Sequence, residues 1–177
     1  MKRIAAFTIA LAALGLQSPA AANEVWLGAT AHAVDTPFSL ETLEGGADIQ
    51  GGWRGAPIDG LGAIGKPSPY VVASISLNGE TSFAAAGLSW KFGDAIYVRP
   101  GIGLAVHDGK IPRSNGNGRR VDLGSRILFE PEIAVGARIS ERLSAEASWV
   151  HISNARIFSE QNAGMDFIGA RLVLQLK

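Results

Sequence analysis

His151 and Ser153 stand two residues apart, at the end of an alternating apolar stripe made by Leu143, Ala145, Ala147 and Trp149. On an extended strand, residues i and i+2 project to the same side, about 6–7 Å apart. An imidazole and a hydroxyl can close that gap to a hydrogen bond. A second stripe, Ile168, Ala170, Leu172, Leu174 and Leu176, is preceded on its own face by Asp166. If the two stretches pair as a hairpin with 149 opposite 168, then 151 lies opposite 166. A carboxylate, an imidazole and a hydroxyl then meet at one rim, the orienter, base and nucleophile of serine-type hydrolysis. The same residues have a plainer reading, as polar side chains marking the end of an apolar band.

The rest of the chain must position that trio. It has 177 residues, of which 47% are hydrophobic and 18% charged, and 22 are glycine. The apolar fraction is too high for disorder. Formal net charge is zero, which argues against nucleic acid as a partner. With no cysteine, disulfides, thiolate metal sites and lipidation of an N-terminal cysteine are excluded. Lys2 and Arg3, the apolar run from Ile4 to Leu16, and Ser18-Pro19-Ala20-Ala21-Ala22 have the layout of a bacterial secretory signal. Residues 1–22 are therefore expected to be a signal peptide, and residues 23–177 the mature domain. The run is shorter than the ~20 apolar residues that a membrane-spanning helix needs.

Period-two alternation recurs eight times along the mature chain. The expected strands are Glu24 to Val34, Leu43 to Trp53, Tyr70 to Leu77, Ser82 to Phe92, Ile96 to Val106, Gly124 to Ile139, Leu143 to Ser153 and Asp166 to Lys177. Asn78-Gly79, Gly93-Asp94 and Ser140-Glu141-Arg142 mark turns, and Lys110 to Arg120 a polar loop. The fold class is all-β, an eight-stranded antiparallel transmembrane β-barrel of the smallest outer-membrane size. Alternation alone does not say which face is inside, and a soluble lipid-binding barrel would invert it. Charge favours the membrane: Glu24, Glu44, Asp48, Glu130, Glu132 and Glu146 balance Arg54, Arg99, Arg126, Arg138 and Arg171 on the polar face. Balanced charges suit a narrow lumen filled with ion pairs. Pro100 weakens pairing within its strand. The chain ends in Leu176-Lys177, without the terminal aromatic residue usual in such barrels. With periplasmic termini, the connections after strands one, three, five and seven are extracellular. The Arg54-to-Pro69 connection is then long for a periplasmic turn.

His151-Ile152-Ser153-Asn154-Ala155, followed by Asn162-Ala163-Gly164-Met165-Asp166, resembles the signature of the lipid A 3-O-deacylases, the PagL or acyloxyacyl hydrolase-like family. Ser140 to Ala147, Glu44 to Gln50 with Trp53-Arg54, and Thr81 to Phe83 with Ala86 to Trp90 are also similar to that family. The resemblance implies an outer-membrane esterase that removes the 3-O-linked 3-hydroxyacyl chain of lipid A in lipopolysaccharide. It implies Ser153 as nucleophile, His151 as base and Asp166 as acid, where the family's best-known member has glutamate; Glu160 is a lesser substitute. Asn154, Asn162 and Arg156 become oxyanion or substrate-binding residues, Arg156 through a lipid A phosphate or by snorkelling to headgroups. No cofactor and no metal are expected, with His32 at the lumen or rim and His107 in a loop. Lipid A and outer-membrane lipids are the expected partners, and a homodimer is left open. The rival reading is a non-enzymatic small barrel, structural or adhesin-like.

Overall fold

The computed structural model describes residues 23–39, 43–109 and 120–176. The expected signal peptide, most of the Lys110-to-Arg120 loop and the final Lys177 lie outside the described residues. Eight long strands follow in chain order: β1 Glu24–Ala31, β2 Ala47–Arg54, β3 Ser68–Ser76, β4 Phe83–Ser89, β5 Ile96–His107, β6 Ile127–Arg138, β7 Leu143–Ile152 and β8 Met165–Gln175. Each pairs antiparallel with its sequence neighbours, β8 returns to β1, and the sheet closes into a barrel. A two-residue segment, Phe92–Gly93, continues β4 along β5. The ladder is interrupted at Trp90 and Lys91, beside Arg99 and Pro100, where proline has no N–H to offer; Trp90 N–H still donates to Pro100 O at 2.9 Å.

Burial decides the question that alternation leaves open. Leu27, Ile49, Val71, Ile75, Leu104, Ile133, Val135 and Leu172 are exposed on the outer wall. Trp26, Arg54, Tyr70, Arg99, Glu130, Glu132, Glu146 and Arg171 are buried in the bore. An apolar outside around a polar inside is the arrangement a bilayer demands. Closure pairs every strand edge, as hydrocarbon requires.

The bore is a packed ion-pair network. Arg171 donates Nε to Glu146 at 2.6 Å and Nη1 to Glu132 at 3.0 Å. Arg99 reaches Glu146 at 3.2 Å and Glu24 at 3.1 Å, and Arg54 bonds Glu24 at 2.8 Å. The Arg54 and Arg171 guanidinium groups both lie over the Trp26 ring, 4.7 and 5.1 Å from its centroid. The Trp26 ring also fills the space a Cβ at Gly52 would need, 2.2 Å away. Two of the expected lumenal arginines are elsewhere. Arg138 pairs with Asp94 at the exposed periplasmic mouth, and Arg126 donates to the His107 and Gly109 carbonyls near the opposite rim. Each lies at or just beyond its strand's end, where parity no longer points a side chain inward.

The long Arg54-to-Pro69 connection has an internal structure. A 3-10 turn, Asp59–Ile64, ends at Gly65 in the left-handed region, and Ile64 O accepts Trp90 Nε1–H at 2.7 Å.

At the extracellular end His32 bonds Asp48 at 2.7 Å and Glu44 at 3.0 Å. Glu44, expected on β2, precedes it, and accepts from Thr81 N–H, Thr81 Oγ1 and Val121 N–H. One carboxylate thus ties three extracellular connections together. Burial opposes charge on His32, but the bonds to Asp48 and Glu44 outweigh it and push its pKa up to about 9. Burial also opposes charge on Glu44; the His32 bond and then the Thr81 and Val121 donors hold it below the usual carboxylate range. His107, expected in a loop, ends β5 and meets Ser125 O through Nε2 at 2.6 Å.

Candidate active site at the outer rim

Strand register delivers the site. Trp149 pairs with Ile168 and His151 with Asp166, the offset the two apolar stripes predict. On β7 the side chains of Val150 and Ile152 turn into the bore, so Trp149 and His151 lie on the outer wall. His151 Nδ1 and Asp166 Oδ1 are 2.8 Å apart. With Nδ1 carrying its proton to the carboxylate, the imidazole keeps a lone pair on Nε2.

Ser153 follows β7. It exchanges main-chain hydrogen bonds with Phe129, N–H to O at 3.1 Å and O from N–H at 2.7 Å. This bridge pins its backbone to β6. The Ser153 hydroxyl is 8% exposed by residue and makes no hydrogen bond to His151 among the described residues.

Asp166 is fully buried although its parity is outward. The cover is the segment after β1. Val34 N–H donates to Asp166 O at 2.9 Å, and the hydroxyls of Thr36 and Ser39 donate to Oδ2. Trp149 Nε1–H donates to Oδ1 at 3.0 Å. Phe38 packs on Trp149, centroids 5.5 Å apart, and edge-on to His151 at 6.4 Å. Sequence reasoning missed Thr36, Ser39 and the Trp149 indole. Nothing in local spacing links residues 36 and 39 to 166; only closure of β1 against β8 brings them together.

The β7–β8 connection holds the other expected residues. Asn154 is fully buried, and its amide donates to Leu123 O at 2.9 Å and to Gln161 O. Its carbonyl accepts Arg156 N–H at 2.7 Å. Both amide hydrogens are therefore committed to main-chain carbonyls. Asn162 accepts Asn154 N–H through Oδ1 at 2.8 Å, while its Nδ2 makes no hydrogen bond among the described residues. Arg156 is exposed, with φ +58°, as is Glu160. Phe158 stacks on Phe129 at 5.5 Å. Gly164, φ +69°, lies against the imidazole: a Cβ there would meet His151 Cε1 at 2.9 Å. No group of three or more metal-ligating side chains occurs among the described residues.

A histidine oriented by a buried carboxylate, beside a serine on a lipid-facing wall, is equipped for ester chemistry on a molecule lying in the membrane. The family model for lipid A 3-O-deacylase (PagL) matches residues 42–175. The chain belongs to the lipid A 3-O-deacylase (PagL) family. The match spans both strands that carry His151 and Asp166. Among solved structures, the crystal structure of the outer membrane enzyme PagL superposes with a TM-score of 0.61 at 18% identity, covering 86% of this chain and 99% of that one. Neisserial surface protein A matches at 0.49 and 10% identity, covering 88% and 97%. Ail of Yersinia pestis matches at 0.48 and 9%, covering 88% and 99%. A search of curated proteins gave no match. This member of the PagL family is thus an outer-membrane β-barrel of eight strands.

Proposed function

We propose that the protein is a serine-type esterase that hydrolyses the 3-O-linked 3-hydroxyacyl chain of lipid A, made with a cleaved signal peptide, residues 1–22. The observation that carries this reading is the His151–Asp166 hydrogen bond of 2.8 Å on the outer wall, two residues from Ser153. His151 Nε2 takes the Ser153 proton as the hydroxyl attacks the ester carbonyl. This contact closes when the ester is bound, since catalytic hydrogen bonds are often loose in free enzymes. Asp166 holds the tautomer and stabilises the imidazolium. The tetrahedral oxyanion accepts from Asn162 Nδ2, whose amide is oriented by the bond from Asn154 N–H. One such donor is typically worth ~3–4 kcal/mol of transition-state stabilisation. The protonated imidazole then gives its proton to the sugar oxygen, which leaves. Water, deprotonated by His151, attacks the acyl-enzyme and releases the 3-hydroxy fatty acid. Arg156, exposed beside the site, meets a lipid A phosphate or the headgroups.

An outward-facing site suits this substrate, because acyl chains in the outer leaflet already lie along the barrel wall. Mass spectrometry of lipid A from cells making the protein tests the reading. The wild type removes one 3-hydroxyacyl group; Ser153→Ala leaves lipid A intact while the barrel keeps its heat-modifiable migration. Deacylation by a folded Ser153→Ala protein overturns the serine mechanism.

A further inference from the structure

Asp166 accepts from His151 and Trp149 on one carboxylate oxygen and from Thr36 and Ser39 on the other. Two of these donors come from the strands that carry the site. The other two come from a segment 127–130 residues away in sequence. That segment is itself a folded turn: Phe38 N–H donates to Thr36 Oγ1 at 3.0 Å, and Ser39 N–H to Thr36 O at 3.2 Å. It is anchored at its start by Val34 N–H on Asp166 O, and along its length by Phe38 on Trp149. The arrangement covers a carboxylate whose strand parity points it at lipid. Without the cover, Asp166 would face hydrocarbon with one oxygen unpaired, at a cost of several kcal/mol for a charged group. An unpaired Oδ2 would also let the carboxylate rotate about χ2 and lose its alignment on His151 Nδ1.

We propose that Val34–Ser39 is a positioning strap, in which the Thr36 and Ser39 hydroxyls fix the Asp166 carboxylate so that it aligns the His151 imidazole. Neither hydroxyl touches substrate; both act through Asp166. The strap also covers the carboxylate end of the His151–Asp166 pair. The proposal rests on the esterase reading for its kinetic consequences, but not for its structural ones.

The test is a Thr36→Val, Ser39→Ala double variant in detergent micelles, compared with wild type at equal folded fraction by heat-modifiable migration. Two quantities are read: kcat and KM on lipid A, and the low-field proton resonance of His151 Nδ1–H. Expected are a fall in kcat of roughly 10- to 100-fold, the scale of a small misalignment, an unchanged KM, and an upfield-shifted or broadened resonance. Thr36→Ser, which keeps the hydroxyl, restores both. If the double variant fails to fold, Ser39→Ala alone carries the test, with a smaller loss in the same two readouts. An unchanged kcat or an unchanged resonance, with Ser153→Ala inactive, overturns the strap and leaves the esterase reading standing. If Ser153→Ala is active, the esterase reading falls, and the resonance alone decides the strap.

Discussion

Buried carboxylates occur in two regions of this barrel, the bore and the outer rim, and their partners differ. In the bore, Glu24, Glu132 and Glu146 share Arg54, Arg99 and Arg171, three carboxylates against three guanidinium groups. At the rim, Asp166 has four donors, of which only the histidine can carry charge and exchange its proton. A guanidinium remains protonated throughout the useful pH range, so these arginine–glutamate pairs have no proton to exchange. The His151 imidazole is instead flanked by Gly164 and Phe38. Ion pairs fill the bore, and a single carboxylate-bonded imidazole lies on the outer wall.

The sharpest way to break this division is to disable the rim. Ser153→Ala and His151→Ala should each lower turnover on lipid A by on the order of 10⁴-fold or more, as loss of one member of a triad does. Resistance to unfolding by urea in vesicles should hardly change. The reciprocal experiment is Glu146→Gln in the bore. It leaves Arg171 and Arg99 short of a counter-charge, and removing one member of a buried pair costs ~3–5 kcal/mol. The urea midpoint should drop, with activity per folded molecule unchanged. A large activity loss in folded Glu146→Gln would erase the distinction.

Gly164→Ala probes the rim by shape alone. The added methyl, 2.9 Å from His151 Cε1, must push the ring away, and alanine is disfavoured at φ +69°. Turnover should fall roughly 10- to 100-fold, with a stability loss of about 1–2 kcal/mol. Asn162→Ala should lower kcat by about 10²-fold if its amide meets the oxyanion. The mildest probe is pH. His32 is raised from 6.5 to about 9, so its contribution to the loop knot is complete below 6.5 and is lost as pH rises through 9. Glu44 is shifted the other way, so its contribution is complete above the ordinary carboxylate range and is lost on acidification. Proteolysis of the extracellular connections should therefore quicken above pH 9 in wild type, and His32→Gln should flatten that rise.

Much of the architecture was legible before any coordinates. Period-two stripes placed the eight strands to within a few residues, because hydrophobic alternation is a local property of each segment. The His151–Asp166 pairing was legible too, because two adjacent stripes joined by one hairpin have a single register that keeps both apolar faces together. Errors gathered at strand ends. Glu44 proved to be a loop clamp, Arg126 and Arg138 left the bore, and His107 stayed in its strand. Asn154 matched the family motif, yet its amide is spent on the Leu123 and Gln161 carbonyls. A motif records which residue is present; it does not record which neighbour takes its hydrogens.

What the linear chain determined by itself is the set of faces: which residues lie together on one side of a strand, and hence that His151 continues the stripe of Trp149 and Asp166 that of Ile168. The physical reason is the fixed two-residue repeat of extended backbone, which needs no partner. Whether that side met lipid or the bore, and what covered Asp166, was decided only by closure. Joining β1 to β8 brings Thr36 and Ser39 to a carboxylate far away in sequence, and no local pattern encodes contacts made by the last seam of a barrel.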